Sequence, residues 1–307
     1  MTDLVLRMSL PPAPEPHFWG SRTAWTLVGL SAIPLWATWP LLATLSQQIP
    51  TPASQLPTFE LLAIAFSTGA LLLFACDRSR AAKVRPARGW MHWVMIVMAV
   101  VGYLASNTFY VFAMNRIPAA QANLISYLWP VMIVVMGGAL GLMPVTWRQQ
   151  LGVAVGLMGA ALVIGGSGFT LSWVGIGLAL ASGLTWAAFC LFRLYEGENA
   201  SNVLARGFAA SAAIGVLLHL ALESTVVPSA SSLLFALLIG VLPLALGALA
   251  WDNGIRHGDQ RLLAIMAYAT PLVSALVLIV CGFGAPSIGI VLGGGLIVAA
   301  GAISAWR

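Results

Sequence analysis

The chain has 307 residues, of which 60% are hydrophobic and 7% charged, with a formal net charge of +5 and a mean hydropathy of +0.94. A soluble domain carries about 25% charged residues, so a chain this poor in charge cannot coat a water-facing surface and reads as an integral membrane protein. The basic residues fall in loops and not along one polar face, which excludes a nucleic-acid footprint. Cys76, Cys190 and Cys281 lie in separate apolar segments without metal or disulfide spacing and read as small buried apolar side chains.

In chain order, residues 1–22 come first. The string "MTDLVLRMSLPPAPEPHFWG" has a short apolar patch broken by Arg7 and followed by "PPAPEP". It reads as a disordered cytoplasmic tail and not as a signal peptide. A helix needs about 20 apolar residues to cross the hydrocarbon. Ten spans are predicted: 23–46, 56–76, 90–114, 118–142, 149–166, 172–192, 202–222, 231–251, 260–281 and 285–306. The connections are short, so consecutive helices should be antiparallel neighbours. With this count, Arg116 alone of the 14 Lys and Arg residues falls on one side. The side holding the rest is predicted to be cytoplasmic, and both termini lie there. Trp90, Trp93, Trp147, Trp173 and Trp306 near span ends read as an interfacial belt.

Span 1 holds Trp36 and Pro40. Trp36 lies about 20 Å into its span by helix rise, too deep for the belt. Span 3 reads "VVGYLASNTFYVFAM", with Tyr103, Ser106, Asn107 and Tyr110 at i, i+3, i+4 and i+7 on one helix face. Such groups face the protein interior or a wet cavity; binding a ligand and bonding a neighbouring helix both fit the pattern. Span 4 contains "ISYLWPVM", in which Ser126 and Tyr127 precede Pro130. Span 6 carries Trp186, as deep as Trp36. Span 9 contains "AYATPL", in which Tyr268 precedes Pro271 at the same spacing as Tyr127 precedes Pro130. The glycines at 152–156 and 293–295 in spans 5 and 10 read as close helix contacts, with dimerisation the alternative.

A shift of 141 residues lays Tyr127 and Pro130 on Tyr268 and Pro271, and Gly141 on Gly282; a shift of 150 lays Trp36 on Trp186. Ten spans divide into five and five, and an odd number forces the second half to enter from the opposite side. The predicted architecture is therefore an all-α membrane protein of two five-helix repeats, 23–168 and 169–307, with inverted topology around a central cavity. Proline removes a helix hydrogen bond, so Pro40, Pro130 and Pro271 are predicted helix breaks that free the carbonyls of Trp36, Ser126 and Ala267. Paired irregularities near the midplane point to a substrate site; packing kinks are the other reading. The candidate substrate-binding residues are Trp36, Tyr103, Asn107, Tyr110, Ser126, Tyr127, Trp186 and Tyr268.

No span centre holds a carboxylate, so a proton relay has no obvious seat. None holds Lys or Arg, so a dianionic substrate has no counter-charge. Aromatic faces, hydroxyls, amides and helix ends suit a substrate neutral overall, with an apolar body and a zwitterionic head. The four histidines form no HExxH and no Walker A loop is present. No catalytic residue, metal ligand or cofactor is assigned, and an enzyme is not expected.

The layout of residues 23–306 resembles the drug/metabolite transporter superfamily in its EamA-type ten-helix branch. The strings "YLWP" at 127–130, "WAAFC" at 186–190 and "GIRHG" at 254–258 after Trp251 are similar to those of its bacterial aromatic amino acid exporters. The resemblance implies a five-plus-five inverted repeat with a central cavity in the bacterial inner membrane. It also implies export of amino acids and related metabolites. Large neutral and aromatic amino acids are the expected substrates, moved by alternating access as a facilitator driven by their own gradient. The alternatives are other small solutes, such as nucleosides, sugars, drugs or threonine/homoserine-like compounds, and, in a different class, an intramembrane enzyme. A glutamate of the first helix, carried by the four-helix multidrug members, is missing here. A monomer in the lipid bilayer is expected, with a dimer as the alternative.

Overall fold

The computed structural model describes residues 21–47, 55–78, 90–141, 146–165, 172–196, 203–267, 269–283 and 287–305. The tail up to residue 20, Tyr268, Trp306 and the loop 79–89 lie outside them. All regular structure among the described residues is helical. Ser21 opens α1 (Arg22–Leu30), its side chain accepting the Ala24 N–H at 3.1 Å. A turn at Ser31 leads into α2 (Ala32–Gln47). The predicted first span stands as one candidate membrane span, Arg22–Ser46, with its helix interrupted at Ser31 and not at Pro40. Pro40 sits inside α2, which runs on through it. Pro34 is placed to make the interruption, since its missing N–H leaves the Leu30 carbonyl without its helix partner.

The chain continues through α3 (Thr58–Arg78), α4 (Trp90–Val100), a π-helical stretch (Val101–Ala105), α5 (Ser106–Met114), α6 (Ala119–Ser126) and α7 (Trp129–Ala139). Next come α8 (Trp147–Gly165), α9 (Trp173–Glu196), α10 (Val203–Leu222) and α11 (Ala230–Ile239). A second π-helical stretch (Gly240–Leu246) joins α12 (Gly247–His257), followed by α13 (Gln260–Ala267), α14 (Thr270–Val280) and α15 (Ile288–Ala305). Thr146 and Gln149 form a capping box at the start of α8: Gln149 Oε1 accepts the Thr146 N–H at 2.8 Å.

Among the described residues, seven helical runs, four of them made of consecutive segments, are long and apolar enough to cross a membrane, and Thr270–Val280 and Ile288–Ile303 are shorter apolar helices. Their outward side chains match that reading. Leu71, Leu217, Leu220, Val280 and Ile288 are exposed, a surface that suits lipid and not water. Trp90, Trp93, Trp147 and Trp173 are exposed too, at helix ends. Cys281 is exposed and Cys76 and Cys190 are half-buried, so the expected burial of the three thiols does not hold.

Irregularities recur in pairs. A π-helical stretch interrupts the third predicted span and another the eighth, the latter around Pro243. The α6–α7 step at residues 127–128 is matched by the α13–α14 step. Among the described residues two glycines hold positive φ, Gly141 at 67° after α7 and Gly282 at 82° after α14, a region that disfavours other residues at such helix ends.

The main core lies between α3, α4, α9, α10 and α11, where Phe66 and Phe208 meet edge to face at 5.2 Å. α8 packs on α15. There a Cβ on Gly159 would stand 2.7 Å from the Gly293 carbonyl oxygen, the close approach expected of these glycine-rich segments. A polar staple closes one end of α3 against α10. Just past α10, Glu223 accepts the N–H groups of Phe59 (3.0 Å) and Glu60 (3.2 Å). The same carboxylate meets His219 Nδ1 at 3.0 Å, and Glu60 accepts the Val226 N–H at 3.1 Å.

Candidate functional site

The broken and π-helical segments converge on one cavity of about 130 Å³. Trp36, Tyr103, Asn107, Tyr110, Ser126, Tyr127 and Trp186 all line it. They are the candidate residues that fall among the described ones; Tyr268 lies outside them. The π-helical stretch places Tyr103 on the wall, because it shifts the register of the helix ahead of Ser106. The cavity is strongly aromatic. Trp36 meets Trp251 at 5.2 Å and Trp39 meets Tyr110 at 5.8 Å, both with tilted rings, and Tyr103 meets Trp186 edge to face at 5.2 Å. None of the described lining residues carries a charge.

Hydrogen bonding divides the polar candidates. Asn107 is spent within the protein: its Nδ2 donates to the Tyr103 carbonyl at 2.7 Å and its Oδ1 accepts from Trp39 Nε1. Ser106 donates to the Ser182 carbonyl at 3.0 Å, and Ser126 to the Ala179 carbonyl at 3.1 Å. Both serines therefore bond α9 to its neighbours, so helix bonding and cavity lining coexist in the same residues.

The helix is interrupted just before Pro130 and just before Pro271, and not at Pro40. Pro130 and Pro271 stand in the first turns of α7 and α14, where a missing N–H is tolerated. Each starts a new helix after a step. Pro40 lines the cavity. The carbonyl freed at Ala267 is not open either: Thr270 Oγ1 donates to it at 2.8 Å. The Ser126 carbonyl abuts Gly183 of α9.

Several wall residues escaped the sequence reading: Trp39, Asn123, Trp129, Ser182, Pro243 and Leu244. Asn123 lies one turn before Tyr127 on the same helix face, and Trp39 one turn after Trp36, so helical spacing was the available signal. Pro243 was legible as a proline inside an apolar span.

The chain has recognisable relatives. Residues 23–165 match the EamA-like transporter family. A protein of Ancylobacter novellus named aromatic amino acid exporter YddG is 32% identical over 92% of this chain and 98% of its own length. A protein of the same name from Escherichia coli strain K12 is 25% identical, covering 83% of this chain and 87% of its own. A solved structure, described only as the crystal structure of a protein, aligns with a TM-score of 0.66 at 30% identity. That alignment covers 92% of this chain and 96% of the other.

Proposed function

Since the chain belongs to the EamA-like transporter family, and is thus a transporter and not an enzyme, we propose that it exports amino acids across the bacterial inner membrane, large neutral and aromatic ones among them. The carrying observation is the cavity itself, walled by Trp36, Trp39, Tyr103, Tyr110, Tyr127, Trp129 and Trp186 with neutral polar groups between them. Aromatic walls offer apolar area to a large side chain and π faces to an ammonium group. The described wall offers no counter-charge to a dianionic solute. The name shared by the full-length relatives supports the same class.

The proposed architecture is ten membrane spans in two inverted repeats, 23–168 and 169–307, with both termini cytoplasmic. The paired π-helical stretches, paired chain steps and paired positive-φ glycines support the repeat. The distribution of Lys and Arg supports the orientation. Alternating access then consists of opening one end of the bundle while the other stays shut. Cytoplasmic closure is assigned to the α1–α12 crossing. There a Cβ on Gly254 would stand 2.4 Å from the Gly29 Cα, and Arg22 pairs with Asp259 at 3.2 Å.

The test is uptake of labelled phenylalanine into liposomes holding only the purified chain, with a competition panel of unlabelled amino acids, nucleosides and sugars. Competition by large neutral and aromatic amino acids is expected. Uptake of no amino acid, or competition led by nucleosides or sugars, would overturn the reading.

A further inference from the structure

One polar side chain of the cavity wall is left incomplete by the fold. Asn123 lies on α6, one turn before the chain step, and is 3% exposed. The Tyr110 phenol donates to its Oδ1 at 3.3 Å. Its Nδ2 is buried and has no hydrogen-bond partner. The phenol sets this orientation. The Tyr110 hydroxyl makes no other hydrogen bond among the described residues, so the amide turns its oxygen to α5 and leaves its donors over. An unpartnered amide donor away from water is unfavourable, and native interiors hold few of them.

The neighbouring polar groups on the wall are already engaged. Asn107 holds Trp39 and the Tyr103 carbonyl, and Ser106 and Ser126 bond α9. The Asn123 amide is thus a neutral donor kept in reserve beside aromatic rings, in a cavity whose described wall has no cation. From this we infer that Asn123 is a specificity-determining residue that reads the carboxylate of the substrate, its Nδ2 donating to a carboxylate oxygen, with Tyr110 positioning the amide. The inference rests on the amino-acid reading above and names the group that recognises the anionic end.

The chemistry suits a transporter. A hydrogen bond to an ionised acceptor in a dry site is stronger than one between neutral groups. A neutral amide also leaves no uncompensated charge in the empty cavity, as Lys or Arg would. The substrate's side chain and ammonium are left to the aromatic rings.

The experiment is calorimetric binding of phenylalanine and of phenethylamine, which lacks the carboxylate, to the purified full-length chain. Asn123→Leu keeps the volume and removes the donor. It should weaken phenylalanine by about tenfold or more and leave phenethylamine unchanged. Tyr110→Phe keeps the ring and releases the amide. It should weaken phenylalanine by a smaller factor, again without effect on phenethylamine, and it carries the test alone if Asn123→Leu does not fold. Equal weakening of both ligands, or of neither, would overturn the inference and reduce Asn123 to packing. If the folded parent binds no amino acid at all, the export reading fails and takes this inference with it. Parental binding with undiscriminating variants defeats the inference alone.

Discussion

The carbonyl oxygen of Ser126 lies against Gly183, so close that a Cβ on Gly183 would stand 2.6 Å from it. Ser126 also donates its hydroxyl to Ala179, one turn earlier on α9. The end of α6 is therefore seated directly on the α9 backbone, at the cavity wall. Gly183→Ala should force the two apart, because the obstacle is backbone and cannot rotate away. Overpacking of this kind costs about 1–3 kcal/mol. The expected result is a lowered melting temperature in detergent and a reduced rate of amino-acid uptake. An unchanged melting temperature would contradict the contact.

Much of the cavity was legible because membrane helices carry few polar groups, so spacing alone sorts them. Tyr103, Ser106, Asn107 and Tyr110 share a helix face, and the structure brings all four to the cavity. What spacing could not give is where each hydrogen bond goes. Asn107 and Asn123 are equally polar in sequence, yet one is spent and the other is not. The prolines were legible as breaks, but their effect depends on position: Pro40 is carried inside α2, while Pro130 and Pro271 begin new helices. Contacts across long chain separations were invisible. The cap that Glu223 places on α3 joins residues 164 apart, and no local pattern announces it.

That cap makes its own prediction. Glu223 is the acceptor for two N–H groups of α3 and the partner of His219. Glu223→Ala should cost about 2–3 kcal/mol, from the lost cap and a buried histidine left short of a partner. Glu223→Gln keeps an acceptor and should cost less. Neither residue of the pair lines the cavity, so substrate affinity at ambient temperature should be unchanged. Thermal melts alongside binding measurements separate the two effects.

Coupling to protons is tested by the cavity wall. No carboxylate or histidine stands among its described residues, so the site has no group of the usual relay type. Amino-acid uptake into liposomes should proceed down the substrate gradient with no pH gradient imposed. A protonophore should leave the initial rate unchanged. Uptake that stops when the proton gradient collapses would require a relay elsewhere in the chain.

The last prediction concerns the second chain step. Thr270 Oγ1 donates to the Ala267 carbonyl, the acceptor that Pro271 leaves without its helix N–H. The step is thus held open by a hydroxyl that satisfies the stranded carbonyl without continuing the helix. Thr270→Val removes the hydroxyl at constant shape and strands a buried carbonyl, costing about 1–3 kcal/mol. Pro271→Ala alone should change stability little, since proline in a first helical turn is well tolerated. The double variant should not be the sum of the two. Its alanine N–H can donate to the carbonyl that valine left bare, recovering most of the lost stability while running α13 into α14 as one helix. Stability should therefore return as uptake falls, because the straightened helix removes the chain step next to Ala267, a residue of the cavity wall. Melting temperature and initial uptake rate on the same four preparations decide it. Additive stabilities, or full uptake in the double variant, would show that the step does not depend on this carbonyl.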